Sequence, residues 1–269
     1  IYDFNNNGVF ENNDYVLFYG VSPNVWNLNE TTGLFEHTTH LFADEVNYFL
    51  TIDNNSNGKR IVQKDILQNS TKVITSYSAF AYHELELENL IQSGSKWFGE
   101  RFSYNSKQSF AFSFPNLIQS DYVDIKVAVA ARSFQVSNFK IDVNSSFLTN
   151  FSVPLVSSSY AQEYAKETSV ATQYLSNSSN LLIDIEYSSP DNSAEAWLNY
   201  IEVNARRKLK LSGNFFTFRD TESLASEIGE YRIENGTGLE VWDVTDPTNI
   251  SSLSSSVTAN LLSFNDSLN

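Results

Sequence analysis

The chain has 269 residues, of which 41% are hydrophobic and 14% aromatic, so it can bury a sizeable core and is not a disordered chain. It carries 17 Lys and Arg against 32 Asp and Glu, and the net charge of −15 argues against sequence-independent nucleic-acid binding, which needs a basic face. The absence of cysteine excludes disulfides, thiolate zinc sites and a cysteine nucleophile on this chain.

Polar uncharged residues supply most of the surface, since only 18% of residues are charged. This composition is typical of extracellular β proteins, and we expect an exported protein. The chain has no methionine, so Ile1 is not a translation start, and we expect a leader or an upstream region to have been removed. The apolar runs are the size of strands, and none reaches the roughly 18 residues of a membrane span.

Residues 3–14 (DFNNNGVFENND) fit the calcium-loop pattern, which has oxygen ligands at alternate early positions, Gly at the sixth and a carboxylate at the twelfth. Asp closes this loop where Glu is usual, and its shorter arm gives a weaker closure. The alternative is an Asn- and Gly-rich turn without a metal. The sequence predicts a calcium site whose ligands are Asp3, Asn5, Asn7, Val9 through its carbonyl, Glu11 directly or through water, and Asp14.

A second stretch, residues 53–64, begins in the same way and serves as an internal comparison. Lys59 and Lys64 occupy its seventh and twelfth positions, and two cations there oppose a metal. Asn57-Gly58 is better interpreted as the turn of a β-hairpin.

Histidines and glutamates give weaker signals. His37 and His40 would point to opposite faces of an extended chain, so we expect solvated or core histidines rather than a zinc site. Glu84, Glu86 and Glu88 alternate with Leu and share one strand face, which favours an exposed face over an acid–base pair.

Apolar residues alternate with polar ones through most of the middle of the chain, and this period of two predicts strands. The clearest predicted strands are the alternating runs at residues 109–114, 125–132 and 181–187 and a final strand at residues 194–211. Turn signals separate the runs at residues 189–192 and at Asn235-Gly236. Residues 159–173 could form a loop or a short helix, and residues 221–229 have the start and stop signals of a short helix.

We therefore expect an all-β protein with a jelly-roll-like β-sandwich at its centre. The predicted regions are an N-terminal β region at residues 1–94, the sandwich at 95–211, a β extension with short strands at 212–250, and a linker-like tail at 251–269.

Two further groups of residues have competing interpretations. The tryptophans at positions 26, 97, 197 and 242 could stack on sugar rings, although core packing is the more common role. A groove lined by two or more exposed aromatic rings would favour a glycan-binding module. Arg206, Arg207, Lys208 and Lys210 form either a partner surface or a solvated strand end. The sequence contains no Gly-x-Ser-x-Gly, phosphate-binding glycine loop or His-Glu-x-x-His motif.

Four stretches in this order and spacing resemble the region that precedes the catalytic domain in PorU-like sortases, which belong to the gingipain-like family of cysteine peptidases. The resemblance covers about residues 3–250. The stretches are DFNNNGVFENNDYVLFYG at 3–20, HELELENLIQSGSKWFGERF at 83–102, AEAWLNYIEVNARRKL at 194–209 and VWDVTDP at 241–247.

The resemblance implies a role at the outer membrane surface of a Gram-negative bacterium that uses type IX secretion. PorU-like proteins remove C-terminal sorting signals from secreted cargo with a Cys–His pair and pass the new terminus to lipopolysaccharide. This chain has no cysteine, so no catalytic residue can be assigned to it. The family's Asp/Asn/Gly loop corresponds to Asp3, Asn5, Asn7, Gly8 and Asp14.

The implied function is that of a non-catalytic accessory region of a surface sortase. Its expected partners are its own C-terminal peptidase domain, the surface secretion complex and the sorting domains of cargo. A carbohydrate-binding sandwich that takes lipopolysaccharide or another glycan, and a purely structural spacer, remain as alternatives.

Overall fold

The protein is built from β-strands, and the computed structural model has eighteen of them in the part of the chain that it describes. No helix long and apolar enough to cross a membrane occurs there. The described residues are 5, 7–51, 58–65, 67–92, 94–103, 106–158, 163–221 and 228–267. The strands are β1 (Val25–Asn29), β2 (Leu34–Thr38), β3 (Val62–Lys64), β4 (Lys72–Ile74), β5 (Ser76–His83), β6 (Arg101–Phe102), β7 (Ser106–Ser113), β8 (Tyr122–Arg132), β9 (Ser137–Val143), β10 (Ser146–Val153), β11 (Lys166–Leu175), β12 (Asn180–Ser188), β13 (Glu195–Lys208), β14 (Ile228–Glu234), β15 (Val241–Asp243), β16 (Ser251–Leu253), β17 (Ser255–Thr258) and β18 (Leu261–Ser267).

Two antiparallel sheets form a sandwich at the centre of the protein. The first sheet has the order β10-β9-β12-β7, and the second has the order β11-β8-β13-β5 with β6 also paired to β13. Alternate side chains of both sheets point into one shared core, as the period of two in the sequence predicts. The fully buried members include Phe102, Phe139, Ile141, Ile183, Ile185, Tyr187, Val127, Leu198, Ile201 and Val203.

Between β6 and β13 the chain crosses to the opposite sheet at every connection except the β9–β10 hairpin. This repeated crossing gives the sandwich a jelly-roll-like connectivity. The predicted all-β sandwich is confirmed, and the four clearest predicted runs correspond to β7, β8, β12 and β13.

A bulge in β13 determines which residues of that strand reach the core. The register with β8 shifts between Leu198 and Tyr200, so Asn199 is an extra residue. Before the bulge Leu198 points inward, and after it Ile201 points inward. Because of this change of phase, Glu202 and every second residue after it lie on the outer face of the second sheet instead of in the core.

Residues of the N-terminal and C-terminal parts pair with one another. β3 runs parallel to β16, and β4 runs parallel to β14. β5 belongs to the sandwich sheet through β13. The region limits at residues 94, 211 and 250 stay a prediction, and strands from the first 94 residues enter three sheets that later strands complete.

The prediction of a linker-like tail at residues 251–269 is wrong as far as residue 267. β16, β17 and β18 lie there, and β18 pairs with β14 along its whole length. This Ser- and Asn-rich segment nevertheless contains three buried apolar residues, Leu253, Leu262 and Phe264. The predicted Asn235-Gly236 turn follows β14, and Gly236 is required there because a Cβ would stand 2.4 Å from Cβ of Leu262.

Neither helix signal produced a helix in the described residues. From residue 166 onward the segment predicted as loop or short helix forms β11, whose residues alternate between half-buried and exposed. Most of the predicted helix at 221–229 lies outside the described residues, and 228–229 begin β14.

The core of the sandwich can be tested at two adjacent residues of β12. Ile183 is fully buried and Leu182 is 43% exposed. Ile183→Ala leaves a cavity, and we expect it to lower the free energy of unfolding by about 2–5 kcal/mol. Leu182→Ala should cost less than about 1 kcal/mol. Urea unfolding of both variants measures the difference, and equal losses would contradict the assigned face of β12.

Candidate functional site

The N-terminal loop brings four of its six predicted ligands into contact. The side-chain amides of Asn5 and Asn7 donate hydrogen bonds to Oε1 of Glu11 at 2.6 and 2.9 Å. The backbone N–H of Glu11 donates to Oδ2 of Asp14 at 2.8 Å. Two acids and two amides therefore form one cluster at the protein surface.

The remaining positions of this loop are less completely defined. Asp3 lies outside the described residues, and the N–H of Val9 donates to Oδ1 of Asn7 at 2.8 Å. Gly8 has a φ of +76°, which glycine adopts without strain, so the sharp turn falls at the sixth position of the pattern. No group of three or more His, Asp or Glu side chains among the described residues is arranged to hold a metal ion. The oxygen donors fit the chemistry of calcium, and the site stays a prediction.

The comparison loop at residues 53–64 cannot be judged in the same way, because its predicted hairpin turn at Asn57-Gly58 falls partly among residues 52–57, outside the described residues.

The strongest polar cluster of the protein surrounds His37, on β2. Nδ1 of the ring lies 2.6 Å from Oε1 of Glu202, and Nε2 lies 2.7 Å from Oε2 of Glu84. The side chain of His37 is only 3% exposed. A neutral imidazole has one N–H, so only the protonated ring can donate to both carboxylates at once.

Burial lowers the pKa of His37, but the hydrogen bonds to Glu202 and then Glu84 outweigh it, and the pKa is raised above its ordinary value of 6.5. For Glu202, burial raises the pKa, and hydrogen bonds from the side chain and backbone of His37 outweigh burial and lower it. The two directions agree with an imidazolium held between two carboxylates. We call His37, Glu84 and Glu202 the histidine clamp.

Lys126, on β8, places a second cation beside the clamp. Its Nζ lies 3.1 Å from Glu36 and 3.5 Å from Glu202, and 5.5 Å from the centre of the Tyr200 ring. Burial lowers the pKa of Lys126, but hydrogen bonds to Glu36 and Tyr200 and the charge of Glu202 raise it overall. The cluster therefore contains two cations and three carboxylates.

The clamp fastens the β1–β2 hairpin to the outer face of the second sheet. The ring of His37 stacks on Tyr82 with centres 4.2 Å apart, and Trp26 and Phe35 each lie 4.5 Å from Phe80. The buried amide of Asn204 accepts from the N–H of Phe35 and donates to its carbonyl, both at 2.9 Å. The side-chain amide of Asn204 thus makes both hydrogen bonds to the backbone of Phe35, in place of a neighbouring strand.

Sequence reasoning did not identify this cluster. It treated His37 as a solvated or core histidine and gave Glu202 and Lys126 no role. The available signal was the change of phase at Asn199, which moves Glu202 to the outer face, opposite Lys126 in the register.

The three alternating glutamates do not share one exposed strand face, because β5 ends at His83. Glu84 belongs to the clamp, and Glu88 accepts from the indole N–H of Trp197 at 2.8 Å. Glu86 is exposed, and its pKa is raised by burial and by the neighbouring charges of Glu84 and Asp44.

Arg206 and Arg207, at the end of β13, and Lys210, just after it, make contacts within the protein. Arg206 pairs with Asp220, Arg207 donates to the carbonyl of Pro115 at 2.6 Å, and Lys210 lies 3.2 Å from Glu234. These contacts favour the interpretation of a strand end with acidic neighbours over that of a partner surface.

Trp97 lines a cleft formed by described residues. The cleft has a volume of about 520 Å³ and is lined by Asn89, Gln92, Gly94 and Trp97, whose side chain is 41% exposed. Trp197 is buried, as core packing predicts. The cleft presents one aromatic ring from the described residues, so it does not meet the two-ring condition for a glycan groove.

Two extended segments near the N-terminus expose apolar side chains. The segments, residues 9–18 and 41–50, contact each other where the rings of Phe18 and Tyr48 lie 5.4 Å apart. Phe42 and Phe49 are 88% and 92% exposed. We call this the N-terminal apolar surface, formed by Val9, Phe10, Val16, Leu17, Phe18, Leu41, Phe42, Val46, Tyr48, Phe49 and Leu50.

The fold is similar to the crystal structure of dimeric latent PorU from Porphyromonas gingivalis, with a TM-score of 0.77 at 19% sequence identity. The match covers 93% of this chain and 24% of that one, so the chain spans about a quarter of the length of PorU. The resemblance to PorU-like proteins is thereby confirmed at the level of the fold.

Other comparisons give little. No protein-family model and no curated protein matches the sequence. The insecticidal delta-endotoxin Cry8Ea1 from Bacillus thuringiensis matches with a TM-score of 0.30 at 13% identity, over 38% of this chain and 18% of that one. The carbohydrate-binding module CBM36 in complex with calcium and xylotriose matches with a TM-score of 0.29 at 13% identity, over 48% of this chain and 99% of that one. TM-scores this low have no bearing on function.

The clamp predicts a large effect of His37→Gln. The variant leaves Glu84 and Glu202 without their shared cation, and a broken buried ion pair costs about 3–5 kcal/mol. We expect a loss of that size in the free energy of unfolding at about pH 6, measured by urea unfolding. His40→Gln, at an exposed histidine three residues away, is the control and should cost less than about 1 kcal/mol.

The loss also depends on pH. Because the pKa of His37 is raised on folding, its stabilising contribution is complete below 6.5 and is lost as the pH rises through the raised value. The pKa of Glu202 is lowered, so its contribution is complete above 4.5 and is lost as the pH falls through the lowered value. The difference in the free energy of unfolding between wild type and His37→Gln should therefore be largest between pH 4.5 and 6.5 and should decrease above pH 6.5. A difference in the free energy of unfolding that stays constant up to about pH 9 would contradict this prediction, because a neutral His37 ring would then stabilise the fold as well as a protonated one.

Proposed function

We propose that this chain is a non-catalytic accessory region of a PorU-like sortase at the outer membrane surface of a Gram-negative bacterium. The similarity to PorU supports this, because it extends over 93% of this chain while leaving about three quarters of PorU unmatched. The chain has no cysteine, and the Cys–His chemistry of gingipain-like peptidases needs a thiolate. The reactive pair would therefore lie in another part of the protein.

The accessory role is to hold the peptidase domain in position, with cargo sorting domains and the surface secretion complex as further partners. A sandwich with a continuous core is a rigid support, which is what a positioning element requires. The N-terminal apolar surface is a candidate contact, since exposed apolar patches of this kind mark interaction sites.

The non-catalytic assignment is tested with a peptide that carries a type IX sorting signal and its cleavage junction. We expect the purified chain to leave the peptide intact over a time in which the full-length protein cleaves it, as measured by mass spectrometry. Full-length protein with its catalytic cysteine replaced by alanine is the negative control. Cleavage by residues 1–269 alone would refute the assignment.

We also propose that the N-terminal loop binds calcium. The amides of Asn5 and Asn7 already contact the carboxylate of Glu11, the carboxylate of Asp14 accepts from the backbone N–H of Glu11, and Gly8 makes the turn that the pattern requires. A cation would replace the amide N–H groups at the Glu11 carboxylate, and the amides would turn their oxygens toward it. Calcium would then stiffen the loop that includes the first part of the segment at residues 9–18.

Calcium should raise the melting temperature of the chain in the low millimolar range relative to a chelator. Asp14→Asn should reduce this shift. Asp53→Asn, in the comparison loop with Lys59 and Lys64, should leave it unchanged. Identical melting curves of the wild type with calcium and with chelator would rule out the site.

A further inference from the structure

The N-terminal apolar surface is large for a free surface. The eleven side chains that define it are exposed, and the most exposed, Phe42 and Phe49, are almost wholly in water. Burying one such side chain contributes about 1.5–3 kcal/mol. A surface of this kind gains stability when a second apolar surface covers it.

The two segments are attached to the sandwich at defined points. Oδ1 of Asn24 accepts from the N–H of His40 at 2.8 Å, and the amide of Asn24 donates to the hydroxyl of Tyr82, on β5, at 2.9 Å. The N–H of Val21 donates to the hydroxyl of Tyr48 at 2.6 Å. The histidine clamp holds the hairpin between the segments, so the ends of the two segments nearest the hairpin are held close to the sandwich.

The two segments that form this surface contain acidic residues and no Lys or Arg. Residues 1–58 contain eight Asp and Glu and no Lys or Arg, so they carry −8 of the net charge of −15. Asp44 and Glu45 lie exposed within the second segment, and the raised pKa of Glu86 reflects burial and then the nearby charges of Glu84 and Asp44. Within the same range, Glu36 is paired with Lys126 at 3.1 Å.

We propose that the N-terminal apolar surface binds a protein surface in which an apolar patch is ringed by Lys and Arg, carried by the remainder of the same polypeptide. This rests on the proposed function and adds the place of contact and the chemistry of the partner. The apolar side chains supply affinity, and the acidic residues of the surface, such as Asp44 and Glu45, favour a basic partner over an acidic one.

The test uses the full-length protein with a specific protease site inserted after Asn269. After cutting, the two pieces should stay together in size-exclusion chromatography at about 50 mM salt, and their dissociation constant should rise by about tenfold or more at about 500 mM.

Phe42→Ser with Phe49→Ser should weaken the complex by about a hundredfold or more. Phe134→Ser with Phe147→Ser, at rings 47% and 61% exposed elsewhere, is the matched control and should leave the affinity unchanged. Asp44→Asn with Glu45→Gln should reduce the salt dependence, whereas Glu163→Gln with Glu167→Gln, also exposed, should not.

The outcomes separate the two proposals. If the pieces stay together at both salt concentrations and after the Phe42→Ser, Phe49→Ser substitutions, this inference is overturned and the accessory role stays in place. Pieces that never associate would overturn the accessory role as well. Self-association of residues 1–269 that the Phe42→Ser, Phe49→Ser pair abolishes would identify a second copy as the occupant and overturn the basic partner.

Discussion

The imidazole of His37 stands between two carboxylates from different parts of the chain, and the arrangement of the N-terminal region depends on that contact. Glu202 comes from the middle of β13 and Glu84 from the segment after β5. Two buried carboxylates would repel each other without a cation between them. Protonated His37 thus ties the hairpin to the sheet by charge, while the aromatic contacts of Trp26 and Phe35 supply the apolar area.

The bulge at Asn199 makes this contact available. In a regular strand, Glu202 would point into the apolar core with Leu198, where its carboxylate would have no polar partner. The added residue reverses the phase, so one strand presents apolar residues to the core and polar ones to the hairpin. The strand periods were readable in the sequence, and β7, β8, β12 and β13 follow them. The bulge was not predicted, because a single extra residue is meaningful only against a partner strand.

Other features of the structure were not predicted from the sequence, for related reasons. β11 and β18 carry polar residues on their open sides, and their few apolar anchors, such as Leu262, are recognisable only once the neighbouring strand is known. The N-terminal apolar surface escaped notice because exposure is a property of the fold. The absence of Lys and Arg before Lys59 is visible in the sequence, but it acquires meaning only beside that surface. In the proposed account, a rigid sandwich carries an acidic, apolar face fixed by the histidine clamp, and the reactive thiol belongs to another part of the polypeptide.

The protonation state of His37 tests the clamp most directly. Nuclear magnetic resonance of the ring nitrogens reports whether one or both carry a proton, and a pH titration gives the pKa of that ring in the folded protein. The account predicts two protonated nitrogens at about pH 6 and a titration midpoint above 6.5. A single neutral tautomer with a midpoint at or below 6.5 would contradict it, because the ring could not then donate to both Glu84 and Glu202.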